Sequence, residues 1–320
     1  MKHITFSKLC TTFFTFIIIA LLAGCKSKTQ LKPEEGYVTV KGGKIWYRIL
    51  GEGKQTPILM LHGGPGGTSK SFYQFAELGN DRPFIIFDQL GSGRSGYHTD
   101  TALLKVENFV EQVEALKTSL GLKEFYLHGH SWGTALALEY YLKYPKGIKA
   151  IIFNSPYFST SLWKADADTL ISTLPDSIQL AIKTGEKDHD YKSPAYKNAN
   201  EVFYKNFGVR KTKLTSELDT STAKGNEFIY NYMWGPTEFT AAGTLINYNR
   251  IQSLKSIKVP TLFITGEFDE ARPITVKYFQ RLVPNSKFVM IDGAGHGTMH
   301  DNRSQNISAI KGFLDSLELK

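Results

Sequence analysis

Short runs of apolar residues recur along the chain from residue 37 onward, and several of them show no alternation with polar residues. Strands that are buried on both faces have this pattern, which is typical of parallel sheets covered by helices. Segments with helical periodicity, such as 106–120 and 135–144, lie between the runs. The alternation predicts an α/β fold, a doubly wound domain with a mostly parallel sheet. The predicted strands are 37–40, 44–50, 57–61, 83–87, 125–127, 148–153, 260–265 and 287–291.

The pattern changes between residues 155 and 250, where strand-like runs are few and polar and aromatic residues are frequent. Two pieces of this segment, 197–207 and 226–233, could form helices. A segment of this length is too long for a loop inside a compact domain. We therefore predict a helical cap over 155–250, inserted into a core formed by 37–154 and 251–320.

The first apolar stretch differs from the others because it lies close to the N-terminus and follows two lysines, Lys2 and Lys8. Residues 9–23 are almost all apolar or hydroxylic, a length that suits the core of a signal peptide and is short for a membrane span. The stretch ends at Cys25, in the sequence Leu-Ala-Gly-Cys, and is followed by polar residues.

The sequence that ends at Cys25 resembles the bacterial lipoprotein box, in which the cysteine is lipid-modified and becomes the first residue of the mature chain. The resemblance implies a lipoprotein signal peptide over 1–24, a polar tether over 25–36, and export to the bacterial cell envelope with a lipid anchor on Cys25 that binds a membrane. An ordinary signal peptide, or a short anchor with an incidental cysteine, is the alternative. Cleavage would also remove Cys10, the other cysteine of the chain, so we expect no disulfide and no catalysis or metal site based on cysteine.

The net charge of +8 does not indicate a nucleic-acid partner. The 38 basic residues are dispersed among 30 acidic ones, and they form neither a block nor a stripe. We therefore expect no nucleic acid among the partners. Neither an H-E-x-x-H motif nor a Cys/His cluster occurs in the sequence, so we expect no metal and no organic cofactor.

The strongest chemical pattern is Gly-His-Ser-Trp-Gly at 129–133, which follows the predicted strand 125–127 and precedes a predicted helix. In a strand–turn–helix setting, G-x-S-x-G forms a nucleophile elbow. The glycines permit a turn too tight for side chains, and the turn lifts the serine hydroxyl above the sheet at a helix N-terminus. We therefore predict that Ser131 is a catalytic nucleophile. A glycine-rich structural turn with an inert serine is the alternative.

A serine nucleophile needs a base, and the base needs an acid that orients it. Hydrolases with this elbow carry the three residues in the order Ser, acid, His. Asp269 lies in the loop just past the predicted strand 260–265, where such an acid is expected. Only His296 and His300 follow it among the histidines. We predict His296 as the base, because it lies in the glycine-rich loop after strand 287–291, and His300 is the alternative.

A second glycine-rich loop, His-Gly-Gly-Pro-Gly-Gly at 62–67, follows the predicted strand 57–61. In α/β-hydrolases the loop at this position offers a backbone N–H to the tetrahedral intermediate, together with the N–H of the residue after the nucleophile. We predict Gly64 and Trp132 as these oxyanion donors. A phosphate-binding loop is the alternative, but the glycines match neither G-x-x-x-x-G-K-[ST] nor G-x-G-x-x-G.

From about Gly36 to the C-terminus, the chain resembles the prolyl aminopeptidases, also called proline iminopeptidases, and the similar tricorn-interacting aminopeptidase. These are serine peptidases of the α/β-hydrolase fold. The resemblance implies this fold with an inserted cap, and the release of N-terminal residues, proline or other apolar ones, through an acyl-enzyme. The motifs that carry it lie at 62–66, 88–95, 129–133, 234–239 and 266–270, together with His296.

The resemblance also implies a role for two acids, Glu238 in the cap and Glu270 beside Asp269. Peptidases of this family hold the free amino group of the substrate between two carboxylates at the matching positions, so the expected partner is a peptide with a free N-terminus. An ammonium group gains charge-assisted hydrogen bonds there that an internal peptide could not make. A surface acid is the alternative for Glu238, and a bystander of Asp269 is the alternative for Glu270.

Two other functions stay open on the sequence. An esterase, amidase or lactonase would use the same nucleophile, base and donors but would have no use for a carboxylate pair. A lipoprotein that binds peptides without cleaving them is the second alternative, against which the complete set of Ser131, Asp269 and His296 counts. Most of the cap outside 234–239 is hard to match to the family, so the preference for proline is less well supported than the peptidase chemistry.

Overall fold

An eight-stranded sheet runs through the described part of the chain, which comprises residues 31–97, 99–211, 216 and 222–319 of a computed structural model. The strands are β1 Glu34–Val40, β2 Gly43–Leu50, β3 Ile58–Leu61, β4 Phe84–Phe87, β5 Phe125–His130, β6 Ile148–Asn154, β7 Thr261–Gly266 and β8 Ser286–Ile291. Their order across the sheet is β1-β2-β4-β3-β5-β6-β7-β8. β2 pairs antiparallel with both of its neighbours, and all other pairs are parallel. The predicted mostly parallel sheet of an α/β fold is confirmed.

Nine α-helices accompany the strands in the described part of the chain, and four of them correspond to the helices predicted near 106–120, 135–144, 197–207 and 226–233. They are α1 Val106–Ser119, α2 Trp132–Lys143, α3 Thr160–Ile171, α4 Asp176–Asp188, α5 Pro194–Phe203, α6 Glu227–Met233, α7 Pro273–Arg281, α8 Thr298–Asp301 and α9 Arg303–Glu318. A long 3-10 helix, Ser69–Asn80, connects β3 to β4, and a π-helical turn, Tyr204–Gly208, directly follows α5.

The strands in the middle of the sheet are largely buried, as their unbroken apolar runs predict. Every residue of β3, β4 and β7 is buried. Because parallel strands end at the same edge of a sheet, the loops after β3, β5, β7 and β8 meet there. These loops carry most of the predicted site residues.

The first strand begins earlier than the sequence predicts. β1 starts at Glu34, so it includes residues 34–36, which the sequence assigns to the tether. Glu34 pairs with Ile49 and accepts a hydrogen bond of 2.9 Å from the Tyr47 hydroxyl. An edge strand can carry polar side chains on its open side, so the apolar pattern does not reveal where it starts. The predicted tether 25–36 therefore extends too far.

Between β6 and β7, the described residues form the helices α3 to α6 and the turn Tyr204–Gly208. Their helical character agrees with the cap expected over 155–250, whose boundaries stay a prediction. The segment has an apolar cluster of its own, distinct from the cluster that packs on the sheet. Its buried members are Ala167, Leu174, Ile178, Ile182, Tyr196, Ala199, Phe203, Phe207 and Phe239.

The predicted signal peptide 1–24 and Cys25 lie outside the described residues. Among the residues that are described, none of the helices is both long enough and apolar enough to cross a membrane.

Candidate active site

Ser131 occupies the turn between β5 and α2, where the sequence predicts the nucleophile. Its backbone has φ 55° and ψ −126°, a region that residues with side chains rarely adopt. The turn is tight because backbone packs on both flanking glycines. A Cβ on Gly129 would lie 2.3 Å from the Gly133 carbonyl oxygen, and one on Gly133 would lie 2.0 Å from the Leu61 carbonyl oxygen. A strained serine at the carboxyl end of a central strand is the geometry of a nucleophile elbow.

Ser131 lines a cavity of about 240 Å³, a volume that includes space open to solvent. The predicted oxyanion donors Gly64 and Trp132 line the same cavity, one from the loop after β3 and the other from the first turn of α2. Gly63 lies directly against the nucleophile, since a Cβ there would come within 3.0 Å of the Ser131 Cβ. The structure therefore brings the nucleophile and both donors to one cavity.

His296 lies beside the nucleophile elbow and is paired with the predicted acid. Its Nδ1 is 2.8 Å from Asp269 Oδ1, and its ring is 5.0 Å from the ring of His130, the residue before Ser131. The opposite nitrogen, Nε2, has no hydrogen-bond partner among the described residues. The pairing fixes Nδ1 as the donor to the carboxylate and leaves Nε2 to take a proton from a nucleophile.

Asp269 is fully buried, and its environment favours the ionised form. Its carboxylate accepts hydrogen bonds from the backbone N–H groups of Gly266 (3.0 Å) and Ala271 (2.9 Å) and from the Thr265 hydroxyl (3.1 Å). Burial raises the pKa of Asp269, but His296, together with hydrogen bonds from the Ser155 hydroxyl and the Gly266 N–H, lowers it below its usual range. The acid therefore stays charged and can stabilise an imidazolium.

The pKa of His296 moves in the opposite direction. Burial by itself lowers it, but the charge and hydrogen bond of Asp269, with the charges of Glu270 and Glu238, raise it to about 9. Three carboxylates therefore act on one imidazole. A base with this pKa holds a proton strongly once it has accepted it.

The alternative base, His300, lies in a different environment. It belongs to the short helix α8, it is buried, and its Nε2 is 3.1 Å from the Ser71 hydroxyl. Asp269 pairs with His296 instead. The geometry thus favours His296 as the partner of the acid.

Glu238 and Glu270 lie close enough to each other, and to His296, to act on each other's charge. Glu270 is only 2% exposed, and neither of its carboxylate oxygens has a hydrogen-bond partner among the described residues. Burial and the charge of Glu238 raise the pKa of Glu270 well above its usual value. Burial also raises the pKa of Glu238, which lines the cavity with Ser131. The site therefore holds a carboxylate pair whose charges are poorly compensated.

Aromatic side chains form the remaining wall of the cavity. Tyr157, Trp163 and Trp234 contact one another edge to face, with ring centroids 5.3 to 6.0 Å apart, and Leu245 completes the wall. The Trp163 indole also donates a hydrogen bond of 2.8 Å to the Glu238 carbonyl, which ties the aromatic wall to the carboxylate pair. A small apolar side chain fits such a wall.

The motif at 88–95 connects the loops around the cavity. The backbone N–H of Gln89 donates to His62 Nε2 (3.0 Å), and its side-chain oxygen accepts from the Trp132 indole (3.0 Å). Asp88 accepts from the backbone N–H of Ser69 and of Arg94, each at 2.8 Å. The two loops that carry the oxyanion donors are therefore held by one residue, Gln89.

Sequence reasoning missed two residues of the site, Ser155 and Tyr157, which follow β6. The Ser155 hydroxyl lies 2.6 Å from Asp269 Oδ2 and 3.1 Å from the His296 carbonyl, and its φ is 52°. Neither residue belongs to a motif. The signal that could have identified them is their position just past the carboxyl end of a central strand, where ligands bind in open α/β sheets.

A nucleophile, a paired base and acid, and two backbone donors at one cavity can perform acyl transfer. Over the described part of the chain, no group of three or more His, Cys, Asp or Glu side chains is arranged to hold a metal ion.

Comparison with known proteins identifies the family of the chain. Residues 56–302 match the model of the α/β-hydrolase fold family. The proline iminopeptidase of Heyndrickxia coagulans is 38% identical over 285 residues, which cover 88% of this chain and 99% of the relative. The structure of proline iminopeptidase from Mycobacterium smegmatis superposes with a TM-score of 0.80 at 26% identity, over 89% of this chain and 99% of that one. The structure of VinJ gives a TM-score of 0.81 at 26% identity, over 89% and 100%.

The fold class and the resemblance to this family, both predicted from the sequence, are thereby confirmed. The family match covers strands β3 to β8, the elbow and the loops that carry Asp269 and His296. The chain is a hydrolase that belongs to the α/β-hydrolase fold family and, within it, to the proline iminopeptidases.

Proposed function

We propose that this protein is a serine aminopeptidase that releases N-terminal residues, proline or other apolar ones, from peptides. The observation that carries the proposal is the carboxylate pair of Glu238 and Glu270 beside the catalytic base. Glu270 is buried with neither oxygen hydrogen-bonded among the described residues, which is costly unless a cation supplies the missing partner. The ammonium group of a free N-terminus is such a cation.

The reaction follows from the positions of the side chains. Ser131 Oγ attacks the first peptide carbonyl while His296 Nε2 takes its proton, and Asp269 stabilises the imidazolium. The N–H groups of Gly64 and Trp132 stabilise the oxyanion. The C–N bond then breaks, the leaving amine takes the proton from His296, and water hydrolyses the acyl-enzyme by the same steps.

The aromatic wall supports an apolar first residue. With the ammonium group at the carboxylates and the carbonyl at Ser131, the first side chain would face Tyr157, Trp163 and Trp234. The name that the relatives share, proline iminopeptidase, supports proline as one such residue. An esterase, amidase or lactonase with a neutral substrate would leave the carboxylate pair without a partner. A protein that only binds peptides would not need a strained serine beside a paired base.

A comparison of aminoacyl-anilides with their N-acetylated forms and with simple esters tests the proposal. Removing one partner of a partly buried charge pair costs about 2–5 kcal/mol. Glu238→Gln and Glu270→Gln should therefore lower kcat/KM on free-amino anilides by at least about thirty-fold. Esters without an amine, assayed at a pH above the acid limb, should be hydrolysed nearly as before.

Two results would contradict the aminopeptidase proposal. Equal losses on anilides and esters would mean that the glutamates support the catalytic loops instead of the amine. Acetylated anilides that are cleaved as fast as free ones would mean that the site does not recognise an N-terminus, and the broader hydrolase function would take its place.

We also propose that the protein is exported and anchored to a membrane of the bacterial cell envelope through lipid on Cys25. The support is the sequence alone, the apolar segment 9–23 followed by Leu-Ala-Gly-Cys. Since one acyl chain binds a membrane only marginally, Cys25 should carry more than one. Cys25→Ser should move the protein from the membrane fraction to the soluble fraction, whereas soluble, unmodified wild-type protein would contradict the anchor.

A further inference from the structure

Asp301 is a buried acid that the reaction above does not use. It ends helix α8, shortly after His296 in the chain, and is 3% exposed. Its carboxylate accepts hydrogen bonds from the backbone N–H groups of Gly295 (2.9 Å), Arg210 (3.0 Å) and Lys211 (2.7 Å). Gly295 precedes the catalytic base, while Arg210 and Lys211 belong to the predicted cap. One side chain therefore joins two distant parts of the chain next to His296.

The backbone of the same two parts is also joined directly. The N–H of His296 donates to the Phe207 carbonyl (2.7 Å), and that of Gly297 donates to the Gly208 carbonyl (2.8 Å). The two backbones lie so close that Gly295 has no room for a side chain. A Cβ added there would lie 2.6 Å from both of these carbonyl oxygens. We call residues 207–211 the docking segment.

The docking segment also contacts the loop that carries the acid. The Arg210 guanidinium lies over the ring of Phe268, 3.7 Å from its centroid. Phe268 precedes Asp269, and its N–H donates to the Ala294 carbonyl (2.8 Å). The docking segment thus contacts both loops whose side chains form the hydrogen bond between His296 and Asp269.

We propose that Asp301 is a positioning residue for the catalytic base, because it holds Gly295 to the docking segment and so keeps His296 at hydrogen-bonding distance from Asp269. The inference rests on the proposed function in that it takes His296 as the base. Asp301 itself touches none of the reacting groups. It acts through the backbone on both sides of His296.

The physical reason lies in what the carboxylate satisfies. Without it, three backbone N–H groups lose their acceptor, and the loop and the docking segment can shift together. A displacement of about 1 Å at a catalytic group can cost about a hundred-fold in rate. The aromatic wall and the carboxylate pair are not held by Asp301, so the loss should appear in kcat more than in KM.

The test uses the full-length enzyme and the isosteric change Asp301→Asn, which puts an amide N–H₂ where an acceptor is needed. We expect kcat to fall about ten- to a hundred-fold with KM changed by less than about three-fold. The rate at which a fluorophosphonate labels Ser131 should fall by a similar factor. The acid limb of the pH profile of kcat/KM should move to lower pH. The reason is that a weaker contact with Asp269 makes the His296 imidazolium less stable and so lowers the pKa of His296.

The groups that face His296, namely Asp269, Glu238, Glu270 and His130, are unchanged in this variant. Because Asp301→Asn also removes a negative charge near the imidazole, the position of the loop is reported by the labelling rate together with the limb, and not by the limb alone. A purely structural role would lower Tm and leave the limb and the labelling rate of the folded protein in place. Asp166→Asn is the matched control, because Asp166 is also buried and pairs with Arg272 outside the docking segment (3.3 Å). It should lower Tm alone.

A second variant, Arg210→Ala, keeps Asp301 and loosens the docking segment from Phe268, so labelling should slow in it as well. If Asp301→Asn and Arg210→Ala are both labelled at the wild-type rate, the positioning role is overturned. Loss of labelling in His296→Ala would show that the base assignment still stands. Labelling that persists in His296→Ala would overturn the base assignment and the positioning role together.

Discussion

Two neighbouring histidines in ring contact, His130 and His296, differ in the protonation state that their surroundings favour. Burial lowers the pKa of both side chains. For His130 burial prevails and the neighbouring His296 adds to it, so that its pKa falls to about 3. For His296 the lowering by burial is outweighed by Asp269 and the two glutamates, and its pKa rises to about 9. The carboxylate partner therefore decides which histidine can hold the serine proton.

The raised pKa of His296 predicts that activity rises with pH up to about pH 9, because only the unprotonated imidazole can take the serine proton. Glu270→Gln removes a negative charge that favours the imidazolium. It should therefore move the acid limb of kcat/KM to lower pH by about 1 pH unit. A neutral ester as substrate keeps amine binding out of the measurement. Glu267→Gln, at an exposed position of the same loop, should leave the limb in place, and an upward move in Glu270→Gln would contradict the assignment.

The residues of the site differ in how far the sequence could reveal them. Ser131, Asp269 and His296 each follow a predicted strand in a fixed order, so their positions could be inferred from pattern and spacing. Ser155 and Asp301 could not. Their partners are far away in the chain, with 114 residues between Ser155 and Asp269 and about 90 between Asp301 and Lys211, and only the folded backbone shows that they meet.

At the scale of elements, the junction of β5 and α2 is the most constrained part of the fold. α2 begins at Trp132, directly after the nucleophile, and its second residue packs on the end of β3 through the Leu61 carbonyl. Ser131 also donates its N–H to the Asn154 carbonyl at the end of β6 (3.1 Å). Three strands therefore fix the position of one serine.

Two helical glycines provide a matched test of this constraint. Gly133→Ala places a Cβ 2.0 Å from the Leu61 carbonyl oxygen, so the elbow must shift. We expect the free energy of unfolding to fall by about 3 kcal/mol or more. Ser131 should also be labelled more slowly. Gly312→Ala in α9 meets no atom within 4 Å and should stabilise the protein by about 0.5–1 kcal/mol. Urea denaturation measures both. Equal effects would mean that the elbow does not depend on close backbone packing.

Central strands and amphipathic helices were predictable because they bury most of their residues or one clear face. β3, β4 and β7 agree with the predicted ranges to within one residue at each end. Helix α4, which buries Ile178, Ile182 and Gly185 among 13 residues, is not among the predicted helices. The same holds for α7, where only Val276 and Phe279 are buried. Both helices are polar over most of their surface, so their few apolar residues do not stand out from the polar segments around them.

For the molecule as a whole, the last helix is held to the start of the central strands by one buried cation. Arg82 is 3% exposed, and its guanidinium donates to Glu318 of α9 (3.1 Å) and to the Thr56 carbonyl before β3 (3.3 Å). Glu318 also accepts from the Tyr126 hydroxyl of β5 (3.1 Å). This network lies at the amino ends of the strands, opposite the catalytic loops, so it should support stability without taking part in catalysis.

The network predicts a stability contribution that depends on pH. Burial raises the pKa of Glu318, but hydrogen bonds from Tyr126 and Thr56 and the charge of Arg82 lower it below its usual value. A carboxyl group whose pKa is depressed by folding stabilises the folded state above its unfolded pKa and loses this contribution as the pH falls through its folded pKa. The contribution should therefore be complete at neutral pH and absent in strong acid.

Glu318→Gln tests this at the level of global unfolding. Because the amide keeps the shape but loses the charge, the variant should be less stable than the wild type by about 1–2 kcal/mol at neutral pH, and the two should converge as the pH approaches about 3. Glu77→Gln is the control, since Glu77 pairs with Arg303 of the same helix but is 58% exposed, and such surface pairs contribute about 0–1 kcal/mol. Ser131 labelling of the folded variants should match the wild type. A stability difference that persists unchanged into acid would show that Glu318 acts by packing instead of by its charge.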